Sequence, residues 1–155
     1  MKNKFKYFYL KHLKVMVYCI TKDDLLESKN LNFNEKITVI NTKKTKYELF
    51  DGTILVHEST VHKKLFFLKL IDKIGPAIGD CYTNPNYRGQ SIYPDMISKI
   101  AKNLLLDPNN QYVFMIVNQN NESSKHGIIK AGFKQYAKIE TFRFLFFYLK
   151  IKITF

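Results

Sequence analysis

The chain contains 155 residues, a length typical of one domain that buries its core without disulfide or metal staples. Apolar residues make up 46%, and the two cysteines are Cys19 and Cys81, which excludes a disordered chain, a disulfide scaffold and a four-cysteine zinc site. The formal net charge is +12, carried almost entirely by lysines, since Arg88 and Arg143 are the only arginines. No apolar run reaches the roughly 18 residues that span a bilayer. We predict a single cytoplasmic domain over residues 1–155, without a transmembrane segment.

Strands dominate the first half of the chain. β-Branched and apolar residues over 15–20 predict the first strand, and Asp23 or Asp24 is a candidate cap for a short helix toward Lys29. Asp51-Gly52 is typical of a hairpin turn. Further strands are predicted over residues 36–41, 47–50, 53–60 and 76–83, whereas the apolar run 65–71 is left unassigned.

The second half of the chain begins with a helix. Apolar residues recur at steps of four from residue 92 to residue 104, which predicts one buried helix face. Pro94 fits the first turn, where amides lack intrahelical partners, and Pro108 follows the end of the helix. The remaining predicted elements are a strand over 112–117, a helix over 123–131 closed by Gly132, and closing strands over 135–144 and 145–155. This alternation predicts an α/β (mixed α+β) fold.

The loop between the strand at 76–83 and the helix that starts at residue 92 has the chemistry of an anion site. A tight turn from a strand into a helix points several unpaired amides one way, and the helix N-terminus adds about half a positive charge. Gly89 allows close approach of a ligand, and Arg88 supplies a cation beside it. A diphosphate suits such a loop, while a capped surface turn is the plainer alternative.

Two ordered blocks around this loop resemble a known family. Residues 87–93, Tyr-Arg-Gly-Gln-Ser-Ile-Tyr, resemble the pyrophosphate loop of the GNAT acyltransferases, which reads Arg or Gln, two residues, Gly, one residue, then Gly or Ala. Val117, Asn121 and Ser124 follow the spacing of the family's next strand-to-helix segment. Residues 130–133, Lys-Ala-Gly-Phe, are similar to its Lys-x-Gly-Phe helix exit. The resemblance covers residues 78–133 and extends to the rest of the chain by element order.

The resemblance implies a single GNAT-like domain with a mixed central sheet, helices on both faces and acetyl-CoA as cosubstrate. The family's fourth and fifth strands, here 77–83 and 112–118, would splay apart around pantetheine. The family pattern assigns CoA contacts to the backbone of Cys81, Tyr82 and Thr83, to Arg88 with the amides of Gly89, Gln90, Ser91, Ile92 and Tyr93, and to Asn121 and Ser124. The implied reaction is N-acetyl transfer by direct attack of a primary amine on the thioester.

Three positions depart from the family pattern. Ser91 stands at the first Gly of the loop, and Tyr93 stands at its Gly-or-Ala position. Ile128 stands where many members have a Tyr that protonates the departing thiolate, so that role is vacant or filled elsewhere. Residues 78–94, together with Ile128, look most like the branch found among bacterial surface-polysaccharide genes. That branch implies an amino sugar or a nucleotide-linked amino sugar as the acceptor.

A base is needed because an alkylamine is protonated at neutral pH and must lose a proton before it attacks. Asp80 is the first candidate, since the family's base often lies in that strand. His57 is the second; it and Glu58 point to opposite faces of their strand, so at most one faces the cleft. Cys81 as a nucleophile competes with the plainer interpretation of an inert packing thiol. No residue spacing predicts a metal site.

Two other functions stay open at this point. A degenerate family member would bind CoA without catalysis, which the Ile at position 128 favours. A nucleic-acid-binding module would use the basic charge, although the scarcity of arginine argues against specific recognition of bases. The aromatic run 142–147 fits closing strands, and exposed remnants of it would favour a homodimer through sheet edges.

Overall fold

The computed structural model describes residues 10–27, 31–145 and 147–155. The strands are β1 (Lys11–Ile20), β2 (Asn34–Asn41), β3 (Lys44–Asp51), β4 (Ile54–His62), β5 (Ala77–Thr83), β6 (Val113–Asn118), β7 (Lys134–Phe144) and β8 (Phe147–Thr154). The helices are α1 (Ile92–Leu105) and α2 (Glu122–Lys130), with shorter 3-10 helices at Lys22–Asp24, Phe66–Ile71 and Pro85–Tyr87. This mixture of strands and helices confirms the predicted fold class.

The eight strands form a single mixed sheet in the order β2-β3-β4-β5-β6-β1-β7-β8. β5 and β6 are parallel, as a connection through α1 allows, and the other neighbouring pairs are antiparallel. β1 lies between β6 and β7, where Val17 pairs with Ile116 on one side and Ala137 on the other. The first strand therefore joins two strands from the C-terminal part of the chain.

The two faces of the sheet have different cover. α1 and α2 pack on one face, where Met96 and Ile100 are buried together with Met115. The 3-10 helix at residues 66–71 covers the other face, where Leu68 is buried with Phe114. Phe114 and Met115 enter opposite clusters because successive side chains of a strand alternate between faces. The helices expected on both faces are thus two α-helices on one face and a 3-10 helix on the other.

The turn after β1 differs from the prediction. Thr21 is the N-cap of the 3-10 helix Lys22–Asp24, and its hydroxyl donates to Asp24 Oδ2 at 2.7 Å. Asp24 also forms an ion pair with Lys134 at the start of β7. The predicted cap at Asp23 or Asp24 is therefore wrong, and the predicted extension of that helix toward Lys29 lies partly outside the described residues.

Both edge strands expose apolar side chains. Ile37 and Val39 are exposed on β2, and Phe147 and Leu149 are exposed on β8. The homodimer through a sheet edge stays a prediction. In the part of the chain that the structure describes, no helix combines the length and the apolar character needed to cross a membrane.

Candidate functional site

A cavity lies beside the end of β5, beyond the residues that pair with β6. The two parallel strands share two residue pairs, Ala77 with Phe114 and Ile78 with Met115. β5 then continues along β4, through an irregularity at which Asp80 has a φ of 49°. The end of β5 borders a cavity of about 470 Å³, a volume in the range of small-molecule sites.

The cavity is bordered by three elements: the end of β5, the loop with the first turn of α1, and α2. The residues assigned to CoA by sequence that border it are Cys81, Tyr82, Thr83, Arg88, Gly89, Ser91, Ile92, Tyr93 and Ser124. The structure adds Tyr87, Pro94, Ser123, Gly127 and Lys130. Among the described residues, Gln90 and Asn121 do not border the cavity. Most of the residues singled out by sequence are thus brought together around one space.

The loop that enters α1 has backbone amides without acceptors. Gly89 and Ser91 have positive φ angles of 78° and 62°, a type of conformation that groups neighbouring N–H donors. Within residues 10–27, 31–145 and 147–155, the amides of Gly89, Gln90 and Ser91 have no hydrogen-bond acceptor. The next two amides lie in the first turn of α1, which leaves its donors free. A positive φ at Ser91 costs about 1 kcal/mol, which explains why glycine is favoured at this position.

Two cations flank these amides. Arg88 Nε donates to the Thr83 carbonyl at 3.2 Å. Lys130 Nζ, at the end of α2, donates to Ser91 Oγ at 2.8 Å. No Asp or Glu borders the cavity in the described chain, so the cavity is positively charged. The sequence predicts Lys130 only as part of a helix-exit motif and not as a site residue, because no local pattern brings the end of α2 beside residue 91.

Two residues at the start of α2 have separate roles. Asn121 is the N-cap, and its Oδ1 accepts from the Ser124 amide at 3.1 Å. The Asn121 side chain therefore stabilises the helix, while Ser124 borders the cavity. Ile128 is 1% exposed and belongs to the core on the α1 face. The position of the family's Tyr thus contributes an apolar side chain to the core.

A series of hydrogen-bonded polar side chains lies behind the end of β5. We call it a closed polar chain because every donor in it has an acceptor. His57 is completely buried, and its Nδ1 and Nε2 lie 2.8 Å from Thr83 Oγ1 and Ser59 Oγ. Ser59 Oγ donates to Cys81 Sγ at 3.2 Å, and that thiol donates to the Gly79 carbonyl at 3.5 Å. Because Ser59 gives its proton to sulfur, it accepts from His57 Nε2, and Nδ1 accepts from Thr83. Each proton of this chain has an acceptor, and Thr83 Oγ1 keeps its lone pairs for the cavity.

Burial fixes the charge state of this polar chain. It lowers the pKa of His57 to about 4, against a smaller opposite effect of Glu58, so the imidazole is neutral at neutral pH. Burial also raises the pKa of the Cys81 thiol to about 11, opposed by the hydrogen bond from Ser59. A thiol that keeps its proton is a poor nucleophile, which favours the packing interpretation of Cys81.

Asp80, the first candidate base, lies apart from this polar chain. Its carboxylate is exposed and accepts from His62 Nε2 at 3.0 Å. It does not border the cavity within the described chain. Glu58 forms an ion pair with Lys46 at 2.5 Å, whereas His57 bonds toward β5. Of these two neighbours on β4, His57 is the one on the side of the cavity.

The chain has a fold found in a known protein, but no significant sequence match. No protein-family model and no curated protein sequence matches it significantly. Among solved structures, it is similar to a GNAT-family acetyltransferase from Colwellia psychrerythraea, with a TM-score of 0.58 and 15% sequence identity. The match covers 88% of this chain and 57% of the other, so the chain spans little more than half of that protein's length. At this identity the likeness shows the fold, which is the GNAT fold expected from residues 78–133.

Proposed function

We propose that the protein is an acyl-CoA-dependent N-acyltransferase that moves an acetyl group from acetyl-CoA to a primary amine. The observation that carries this proposal is the loop at residues 88–93, in which the amides of Gly89, Gln90 and Ser91 lack acceptors in the described chain beside a cavity in a GNAT fold. Unpaired amides, a helix N-terminus and two nearby cations together suit a diphosphate.

The cavity offers a charged end and a strand edge to the cosubstrate. Arg88, Lys130 and the loop amides would hold the pyrophosphate, and pantetheine would run along the end of β5 in a splayed gap beside β6. The register supports this placement, because β5 and β6 share no residue pair after Ile78 and an unpaired strand edge binds extended ligands through its backbone. Thr83 Oγ1, whose proton is committed to His57, would accept from an amide N–H of pantetheine.

The reaction would be direct attack of the amine nitrogen on the thioester carbonyl. A backbone amide of β5 would stabilise the negative charge that develops on the carbonyl oxygen. Asp80, exposed outside the cavity lining and held by His62, is the proposed base that takes the first proton from the ammonium form of the acceptor, directly at the cavity entrance or through one water. His57 is neutral, and both of its ring nitrogens are engaged. Its proposed contribution is therefore to position Thr83.

The acceptor class is proposed from the finer resemblance of this chain. Amino sugars and nucleotide-linked amino sugars come first, because residues 78–94, with Ile128, resemble the branch thought to act on them. A CoA-binding protein without catalysis is the second candidate, because the buried Ile128 supplies no acid. A thiol-release assay with acetyl-CoA and a panel of such amines separates the two, since the second candidate binds CoA and turns over none of them.

The loop placement is tested by comparing Gly89→Asp with Gly52→Asp in calorimetric titrations with CoA. Both glycines have positive φ, 78° and 58°, and neither has an atom within 4 Å of an added Cβ, so the two substitutions match in backbone strain and in charge. Gly89→Asp should weaken CoA binding by about 100-fold or more, because like charges brought together cost several kcal/mol. Gly52→Asp should bind CoA as the wild type does.

Unchanged CoA affinity in Gly89→Asp would contradict this proposal. Salt-sensitive binding of RNA or DNA that survives Gly89→Asp, in a protein that does not bind CoA, would instead support the nucleic-acid-binding alternative.

A further inference from the structure

Tyr93 occupies an unusual place in the loop that enters α1. It is the second residue of α1 and borders the cavity. Its ring lies directly against Gly127 of α2, where an added Cβ would come within 2.5 Å of ring carbon Cε1. Real Cβ atoms do not approach that closely, so the ring can lie here because residue 127 is glycine. The large side chain of Tyr93 therefore fits against α2 because Gly127 has no side chain.

The phenol of Tyr93 lies between the two sides of the cavity. Its polar neighbours are Ser124 of α2 and Cys81 of β5, which both border the same cavity. The ring centroid is 6.0 Å from that of His57 on β4. Burial raises the pKa of Tyr93 well above the ordinary phenol value, and the Ser124 hydroxyl opposes this rise. The phenol is therefore protonated at every working pH.

The reaction needs a proton donor at the sulfur. An alkyl thiol has a pKa of about 8.5, so a thiolate that departs without a proton donor is a poor leaving group at lower pH. The side chain of Ile128 cannot donate, and it is buried in the core. At the end of β5, the Cys81 thiol already donates to the Gly79 carbonyl, and the Thr83 hydroxyl already donates to His57 Nδ1.

We propose that Tyr93 is the catalytic acid of this site and donates its phenolic proton to the departing sulfur. This inference rests on the proposed N-acyltransferase function. The neutral amine attacks the carbonyl carbon, the N–C bond forms, and the C–S bond breaks with its electron pair on sulfur. The phenolic proton moves to sulfur as the phenolic oxygen takes a proton from the nitrogen that has attacked. The net result is an amide, a free thiol and an unchanged tyrosine.

The raised pKa of Tyr93 requires the two proton transfers to be concerted, because a free phenolate would be costly in this buried place. Gly127 and Ser124 are then positioning residues. Gly127 admits the ring, and Ser124 lies beside the phenol on α2.

The test compares Tyr93→Phe with Tyr112→Phe, a matched loss of one hydroxyl beside Phe114 and outside the cavity in the described chain. Acetyl-CoA is the donor and hydroxylamine the acceptor, because this small amine is neutral at pH 7 and needs no acceptor pocket. Tyr93→Phe should lower kcat by about 100-fold or more and leave the Kd for CoA within about threefold. Tyr112→Phe should leave both unchanged. Ser124→Ala, which keeps the phenol, should lower kcat by about tenfold.

A change of leaving group separates a chemical role from a structural one. p-Nitrothiophenyl acetate releases a thiolate that needs no proton, so wild type and Tyr93→Phe should differ by less than about threefold in kcat/KM with this donor. Equal losses with both donors would show that Tyr93 shapes the cavity without donating a proton.

The possible failures are distinguishable. A wild-type protein that does not bind CoA contradicts the proposed function itself. A wild type that binds acetyl-CoA and accelerates its reaction with hydroxylamine, together with a Tyr93→Phe variant of similar kcat, overturns the role of Tyr93 and leaves the proposed function standing. A wild type that binds acetyl-CoA without accelerating that reaction overturns the proton transfer and favours a binding protein.

Discussion

The two walls of the cavity hold their hydrogen-bond donors in opposite ways. In the loop wall, residues 88–93, three amides have no acceptor in the described chain. In the strand wall, where Cys81 and Thr83 border the cavity and His57 and Ser59 lie behind them, each polar proton is donated to a hydrogen-bond acceptor. Unpaired donors at a helix N-terminus bind anions, whereas a closed buried network fixes geometry. The contrast indicates that charge recognition and reaction geometry are separated across the cavity.

Breaking the strand wall should have the largest effect on stability. His57→Leu replaces the imidazole by a side chain of similar size and leaves the hydroxyls of Ser59 and Thr83 buried without their partner. We expect the free energy of unfolding in urea to fall by about 2–4 kcal/mol. The loop wall keeps its amides in this variant, so CoA binding should be retained, with a Kd raised by at most about tenfold because Thr83 loses its partner.

A rescue experiment checks the cause of that loss. Adding Ser59→Ala and Thr83→Val to His57→Leu removes the unpaired hydroxyls and should restore at least about 1 kcal/mol, because an apolar set of similar shape has no unmet hydrogen bonds. A triple variant no more stable than His57→Leu would mean that packing, and not the closed polar chain, distinguishes the strand wall.

Because the buried His57 is neutral in the folded protein, the free energy of unfolding should fall as the pH is lowered. Burial lowers the folded-state pKa of His57 from the ordinary 6.5 to about 4, so the unfolded chain binds the proton more strongly between these values. The resulting stability is complete above pH 6.5 and is lost as the pH falls toward 4, by at most about 3 kcal/mol. Urea unfolding at a series of pH values should show this loss in the wild type and not in His57→Gln. Parallel losses in both proteins would assign the titration to another group.

The loop wall could be predicted from sequence because its causes are local. The helical period from residue 92 onward, the strand before the loop and the turn at Gly89 all depend on residues within one or two turns. The predicted bounds of α1 and β5 accordingly differ from the observed ones by one residue, since 92–105 and 77–83 are found. The spacing predicts a CoA contact for Asn121, whereas the structure shows it as the N-cap of α2.

The strand wall could not be predicted because its contacts join distant segments. His57 and Thr83 are 26 positions apart, and they meet through the pairing of β4 with β5. β1 shows the same effect, since it begins at Lys11 rather than at residue 15 because β7 pairs with those additional residues. Neither contact leaves a period or a motif in the sequence, so a buried histidine and a surface histidine look alike there.

The prediction with the smallest expected effect tests whether α2 contributes to the loop wall. Lys130→Glu places a carboxylate beside Ser91 Oγ and should weaken CoA binding by about tenfold. This is less than for Gly89→Asp, because an exposed charge is screened. Lys102→Glu, exposed on α1 and outside the described cavity lining, changes the net charge equally and should bind CoA within about twofold of wild type. Added salt should reduce the difference in CoA affinity between Lys130→Glu and Lys102→Glu. An equal loss in both would assign the attraction to the net charge of +12, and the loop wall would then end at residue 93.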